Sequence, residues 1–257
     1  MLNFAIQTAH DAGRILAERF GRALEVSNKG DIDIVTEADL AAERFIIERI
    51  KSHYPRHAIL AEEAEAAGRR HEGEGEWKWI VDPLDGTTNY AHGYPVFCVS
   101  IGLEHEGRVV VGVVHDPTRD ETFAAERGGG ATLNGRPVRV SATDDLNRAL
   151  VCTGFPYDVR GRDDFARHFT NFILRAQSIR RDGSAALDLA YVACGRFDAF
   201  YEDGLRPWDV AAGTLLVEEA GGRVTHYDGS DFDIYTPPIA ASNGLVHEAA
   251  LRVLEMR

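Results

Sequence analysis

Trp77-Lys78-Trp79-Ile80-Val81-Asp82-Pro83-Leu84-Asp85-Gly86-Thr87-Thr88-Asn89 is the stretch on which the reading of this chain turns. An apolar, strand-like run leads straight into two carboxylates three residues apart, with a sharp turn between them. Carboxylates that close repel unless a cation or an arginine lies between them, and no arginine is near in sequence. Oxygen-only donors favour hard cations, Mg²⁺ or Mn²⁺, over zinc. Gly86-Thr87-Thr88 adds backbone N–H groups where a phosphate could sit. The stretch therefore reads as a metal and phosphate turn at the mouth of a strand.

Periodicity places this turn within a mixed α/β chain. Leu2, Ile6, Ala9, Gly13, Leu16 and Phe20 recur at helical spacing up to Gly21. Thr36 and Asp39 form a capping-box pattern before a second helix that carries Leu40, Phe45, Ile47 and Ile50 and stops at Pro55. Strands are then expected over 58–61, 77–82, 96–103, 109–115 and 122–126, followed by a hairpin turning at Asn134-Gly135. Beyond residue 141 the elements alternate: strand 149–153, helices 163–176 and 184–194, strand 197–202, helix 210–220, strands 223–226 and 239–242, helix 245–256. Two sheets layered with helices follow. We read residues 1–140 as an α+β half that carries most of the metal ligands and residues 141–257 as an α/β half that completes the site. No linker separates them. The charged, glycine-interrupted segment 71–76 is expected to be an exposed, mobile loop.

Composition narrows the partners. The chain has 257 residues, of which 44% are hydrophobic, enough for a sizeable core. A net charge of −13 argues against duplex nucleic acid as a main ligand. Three scattered cysteines, Cys98, Cys152 and Cys194, fit buried thiols in a reducing compartment, with no disulfide framework. The first residues show no signal-peptide pattern and no apolar run is long enough to span a bilayer, so a soluble cytoplasmic protein is expected.

Other acids stand at element ends. Glu62 and Glu63 follow the apolar run 58–61 as Asp82 follows Val81, and Trp208-Asp209 opens a helix. Each alone has an ordinary account: a surface Glu pair, or an N-cap for Asp209, with Ser184 and Asp39 equally fit for capping. Together they form the oxygen-rich donor set that metal-assisted phosphoester hydrolysis requires. No Gly-x-Ser-x-Gly elbow, Gly-x-x-x-x-Gly-Lys loop, Cys-x-x-Cys pair or His-Glu-x-x-His helix offers another chemistry. The glycines at 128–130 read as a turn, and 228–233 as a surface turn without calcium-loop spacing.

Five ordered segments carry a resemblance over nearly the whole chain. They are Lys29 with Asp-Ile-Val-Thr-Glu-Ala-Asp at 33–39, Ala-Glu-Glu at 61–63, the motif at 79–90, Gly-Ser-Ala-Ala at 183–186, and Pro-Trp-Asp-Val-Ala-Ala-Gly at 207–213. The set resembles the inositol monophosphatase family of lithium-sensitive, metal-dependent sugar phosphatases. That resemblance implies a layered αβαβα sandwich of the sugar phosphatase type, a homodimer and inhibition by Li⁺. It implies that Glu62, Asp82, the Leu84 carbonyl, Asp85 and Asp209 ligate two or more Mg²⁺ ions, up to about three. Catalytic roles fall on Glu62, Thr87 and Asp39, which would position the attacking water. Substrate contacts fall on Asp85, Gly86, Thr87, Gly183, Ser184, Ala185, Glu202 and Asp209, with Lys29 a possible loop residue. Ser184 stands where many members have threonine, and Tyr90 where phenylalanine is commoner. Thr88-Asn89 resembles the inositol and sugar phosphatase branch. The implied activity is hydrolysis of inositol monophosphate or a similar small polyol or sugar phosphate by a metal-activated water. Fructose 1,6-bisphosphatase or histidinol-phosphate phosphatase activity is the alternative, as is a binding or regulatory protein on the same fold. A second phosphate would need a basic pocket, for which Arg180, Arg181 and Arg206 are candidates.

Overall fold

In the computed structural model, residues 1–22, 26–28, 34–69, 73, 75–156 and 163–256 are described. Lys29 and residues 71, 72 and 74 of the charged 71–76 segment lie outside them. The chain begins with α1 (Leu2–Arg19), a two-stranded ribbon of β1 (Val26–Asn28) and β2 (Ile34–Thr36), and α2 (Glu37–His53). The large sheet and its short helices follow as β3 (Ala58–Ala61), α3 (Glu62–Ala66), β4 (Trp77–Asp85), α4 (Thr87–Ala91), β5 (Cys98–His105), β6 (Arg108–Asp116), β7 (Glu121–Glu126), β8 (Gly130–Leu133) and β9 (Arg136–Pro137). The remainder is β10 (Leu150–Thr153), α5 (Asp164–Ile173), β11 (Ser178–Arg180), α6 (Ala185–Ala193), β12 (Ala199–Glu202), α7 (Pro207–Glu219), β13 (Arg223–Thr225), β14 (Ile239–Ser242) and α8 (His247–Leu254).

Seven strands pair in sequence order from β3 to β9, and five pair in the order β11-β10-β12-β14-β13. Three apolar cores show how these sheets are layered. Ala5, Ala9, Leu16, Ala42 and Ile46 of α1 and α2 pack on one face of the large sheet, against Trp79, Val99 and Val113. Its other face, through Ile80, Val114 and Phe123, meets Leu187 and Leu189 of α6 and Val210, Leu215 and Leu216 of α7, and the same core includes Cys152, Phe200 and Ala241 of the small sheet. Phe172 of α5 with Leu251 and Leu254 of α8 covers the outer face of the small sheet at Val151, Tyr201 and Ala240. The order is helix, sheet, helix, sheet, helix, as the resemblance implies. Because α6 and α7 are sandwiched, they are apolar almost all round, as a doubly covered helix must be.

Local signals explain most element ends. Thr36 caps α2 in the expected box: its N–H donates to Asp39 Oδ2 at 2.9 Å, and its hydroxyl accepts from the Ala38 N–H at 3.2 Å. The β8–β9 hairpin turns at Asn134-Gly135, both with positive φ. All three cysteines are free. The 228–233 segment is an exposed turn in which Asp228 accepts from Ser230. Among the described residues no helix is long and apolar enough to cross a membrane.

The middle layer depends on glycine. A Cβ at Gly112 of β6 would stand 2.6 Å from the Ala212 carbonyl oxygen and 3.0 Å from its Cα, so α7 lies on the sheet at backbone distance. Replacing Gly112 by alanine should force α7 outward and cost about 1–3 kcal/mol. A lowered denaturant midpoint with an unchanged m-value would show it, and an unchanged midpoint would refute the tight packing.

Candidate active site

Parallel pairing of β3 and β4 sets Ala61 opposite Val81, so the next residue of each strand, Glu62 and Asp82, emerges side by side at one edge. Between Asp82 and Asp85 the register with β5 shifts. This irregularity, at Pro83 and Leu84, lets β4 run on to a second acid. Gly86 then takes φ +98°, and a Cβ there would lie 2.9 Å from the Val96 carbonyl oxygen. Only glycine turns the chain here into α4.

Two helices of the middle layer bring the remaining groups. Asp209 is the third residue of α7, which starts at Pro207, and its carboxylate accepts the Arg206 N–H at 2.7 Å. It is thus a capping-box partner and not the N-cap that its position before the apolar run suggested. The Ser100 hydroxyl of β5 donates to the Trp208 carbonyl at 3.1 Å and fixes this turn against the large sheet. Ser184 is the N-cap of α6, yet its side chain does not cap. Its hydroxyl and the Ala186 N–H both reach Asp85 Oδ2 at 2.7 Å. Asp85 therefore ties β4 to the start of α6, and the Ala185 amide is engaged with the same carboxylate.

Glu62, Asp82, Leu84, Asp85, Gly86, Thr87, Gly183, Ser184, Ala185, Glu202 and Asp209 all line one cavity of about 1210 Å³. Asp39 stands directly behind it. Its Oδ1 accepts from the Thr87 hydroxyl at 3.0 Å, while its Oδ2 accepts from both the N–H and the hydroxyl of Thr36. The Leu84 carbonyl also lies 3.0 Å from Thr87 Oγ1. One hydroxyl proton cannot serve both acceptors, so occupation of that carbonyl by a cation would turn the proton to Asp39.

The electrostatics are those of charge held against its preference. Burial first, then the negative charges of Glu62, Asp85 and Asp209, pushes Asp82 well above the usual carboxylate range. Asp209 is raised likewise, by burial and then by Asp85. Burial lifts Asp85 to about 6, although the Ser184 hydroxyl and the Ala186 amide pull it back. Asp39 is raised mainly by burial, against the pull of its three hydrogen bonds. Among the described residues, none of Asp82, Asp85 and Asp209 is ion-paired with lysine or arginine. Converging buried carboxylates without a basic partner suit divalent cations bound through oxygen.

Sequence reasoning missed Asp188 of the lining and the link that Asn89 makes behind it. Asp188 is buried in α6, its Oδ1 has no hydrogen-bond partner, and its acidity is suppressed by burial and by Asp182 and Glu202. An acid inside the apolar run 185–190 was the available signal. Asn89 donates to the carbonyls of Val96 and Asp182, both at 2.8 Å, and so links α4 to the Gly183 turn. Arg181 and Arg206 line the cavity; Arg180 does not, and its guanidinium instead reaches Ser178 and the Ile179 carbonyl.

Among the described residues, two other groupings of metal-type side chains lie elsewhere, His10 with His115 and Asp120, and Glu76 with His105 and Glu106. The His10 and His115 rings are stacked at 4.3 Å and 13°. Thr122 Oγ1 bridges them, at 2.7 Å from His10 and 3.0 Å from His115. This pair holds α1 to the large sheet.

Residues 1–256 match the inositol monophosphatase family. The chain is 46% identical over 255 residues to a Synechocystis sp. protein named inositol-1-monophosphatase, covering 98% of this chain and 88% of that one. It is 45% identical over 257 residues to the Escherichia coli protein named Nus factor SuhB, covering 98% and 94%. The solved structure of the extragenic suppressor protein suhB from Bartonella henselae superposes with a TM-score of 0.94 at 43% identity, over 98% of this chain and 97% of that one. Inositol monophosphatase from Anabaena (Nostoc) sp. does so with 0.87 at 45% identity, over 98% and 94%. The layered fold around an acidic cavity is that of a phosphomonoesterase. The chain belongs to the inositol monophosphatase family.

Replacing Asp82 by asparagine should stabilise the metal-free protein at pH 7.5 by on the order of 1 kcal/mol, or about 2–4 °C in melting temperature. The sign follows from the raised pKa. Near neutral pH the unfolded chain ionises this group freely and the folded chain less readily, so folding carries a cost that the amide removes. Below the unfolded value of about 3.9 both states hold the proton and the gain should fade. Melting in EDTA at the two pH values measures it, and a destabilised variant at pH 7.5 would refute the repulsion.

Proposed function

We propose that this protein is a Mg²⁺-dependent phosphatase of inositol monophosphate or a similar small polyol or sugar phosphate. The observation that carries the reading is the convergence of Asp82, Asp85 and Asp209 with Glu62 on one cavity, with no lysine or arginine ion-paired to the three aspartates among the described residues. Glu62, Asp82, the Leu84 carbonyl, Asp85 and Asp209 would hold the ions. When bound, Mg²⁺ would neutralise phosphate oxygens, acidify the attacking water and steady the leaving alkoxide.

The chain's own groups account for the rest. The turn at Gly86 and Thr87 presents backbone N–H groups to the phosphate. With its proton given to Asp39, Thr87 Oγ1 keeps lone pairs that accept a proton from the attacking water. Asp39, held by Thr36, takes up the charge of that transfer. Glu202 and the Gly183-Ser184 turn face the alcohol part, where hydroxyls would find acceptors. The homodimer, Li⁺ sensitivity and cytoplasmic setting belong to the same reading. Two halves meeting at the cavity, residues 1–140 and 141–257, would then share the work, the first supplying all the ligands except Asp209.

Phosphate release from inositol 1-phosphate with Mg²⁺ tests the proposal. Asp82→Asn should abolish turnover, and Thr87→Ala should lower kcat by about 10²-fold or more. Full activity of either variant would overturn the assignment. A panel with fructose 1,6-bisphosphate and histidinol phosphate, ranked by kcat/KM, tests the alternatives. Arg181 and Arg206 on the cavity wall are the observation that favours including a second phosphate. Relatives named Nus factor motivate one more arm: a pull-down in which the Asp82→Asn protein retains a partner would show a binding role separate from turnover.

A further inference from the structure

Helix α2 carries two buried acids one turn apart. Asp39 holds Thr87, as described above; Glu43 is equally buried and reaches a different element. Its Oε2 accepts the backbone N–H of Glu63 at 2.7 Å, twenty residues away in sequence. That N–H belongs to the first turn of α3, whose N-cap is Ala61, a residue with no side-chain oxygen to offer. Glu43 thus supplies from a neighbouring helix the acceptor that the local sequence lacks.

The amide concerned is the one that follows Glu62. A peptide unit is planar, so holding its N–H fixes the plane between Glu62 and Glu63 and with it the direction in which the chain leaves Glu62. On the other side, Glu62 is bounded by the Ala61–Val81 strand pairing. With both sides fixed, its side chain faces the cavity, where its charge raises the pKa values of Asp39, Asp82, Asp85 and Asp209.

We propose that Glu43 is a positioning residue for Glu62, acting as a backbone hydrogen-bond acceptor that sets metal affinity. One face of α2 would then orient both Thr87, through Asp39, and Glu62, through Glu43. This rests on the reading of Glu62 as a metal ligand. A purely structural cap would change stability alone, whereas a positioning group changes the metal site. Partners of metal ligands typically contribute about 10–100-fold in affinity.

The test measures Mn²⁺ binding by electron paramagnetic resonance and Mg²⁺ binding by calorimetry, alongside initial rates, on the full chain. Glu43→Met keeps the side-chain length and removes the acceptor; Glu43→Ala is carried in parallel in case the longer side chain does not fold, and melting curves report on both. Metal affinity should fall about 10-fold or more, with the Mg²⁺ needed for half-maximal rate rising in proportion. KM for substrate, and kcat at saturating Mg²⁺, should move less than about threefold. Glu43→Gln, which keeps a carbonyl acceptor and loses the charge, should hold wild-type affinity within about threefold. Unchanged affinity in a folded Glu43→Met or Glu43→Ala protein would overturn the proposal, and so would a Glu43→Gln loss as large as theirs. Glu62→Gln separates the two levels of the argument. If it too leaves affinity unchanged, the assignment of Glu62 as a ligand fails; if it weakens binding while Glu43→Met does not, only the positioning role fails.

Discussion

The mutual repulsion of buried carboxylates governs this molecule. Asp82, Asp85 and Asp209 are drawn together with Glu62, and burial raises the cost of ionising each of the three aspartates. Such a cluster opposes folding near neutral pH unless positive charge enters it. A protein that keeps it accepts that cost for the sake of what the acids bind. On the proposed reading, cation binding and folding draw on the same electrostatic energy.

The layered architecture bears this strain by anchoring every acid to something rigid. Glu62 and Asp82 sit at the ends of paired strands, Asp85 is clasped by the start of α6, and Asp209 closes the first turn of α7. Helices α6 and α7 are buried between two sheets, with glycine contacts that bring backbone to backbone. Close packing of that kind leaves little room for the acids to separate. The cavity opens where the two sheets' helices and strand ends meet, so both halves of the chain contribute to its wall.

Much of this was legible in the residues. The alternation of apolar runs located most strands and helices, because periods of 2 and 3.6 are imposed by the backbone itself. The Thr36–Asp39 box and the Asn134-Gly135 turn were readable for the same reason: each is a contact over a few residues. The five-segment resemblance named the cavity residues, and the structure brings them together except for Lys29, which lies outside the described residues. Less legible were β11, three residues long, and α3, a single turn whose capping acceptor is twenty residues distant. Asp209 was misplaced by three positions because Pro207 could open α7 as well as precede it.

By itself, the sequence determined the kinds of elements, the acids at their ends and the absence of any arginine within the 77–89 motif, since these follow from side-chain chemistry and backbone period. Only the tertiary structure decided which acids face one another, that Ser184 serves Asp85 and not its own helix, and that Glu43 meets the amide after Glu62. Those are contacts between groups far apart along the chain. Their partners are chosen by how layers pack and strands register, and no local pattern encodes that choice.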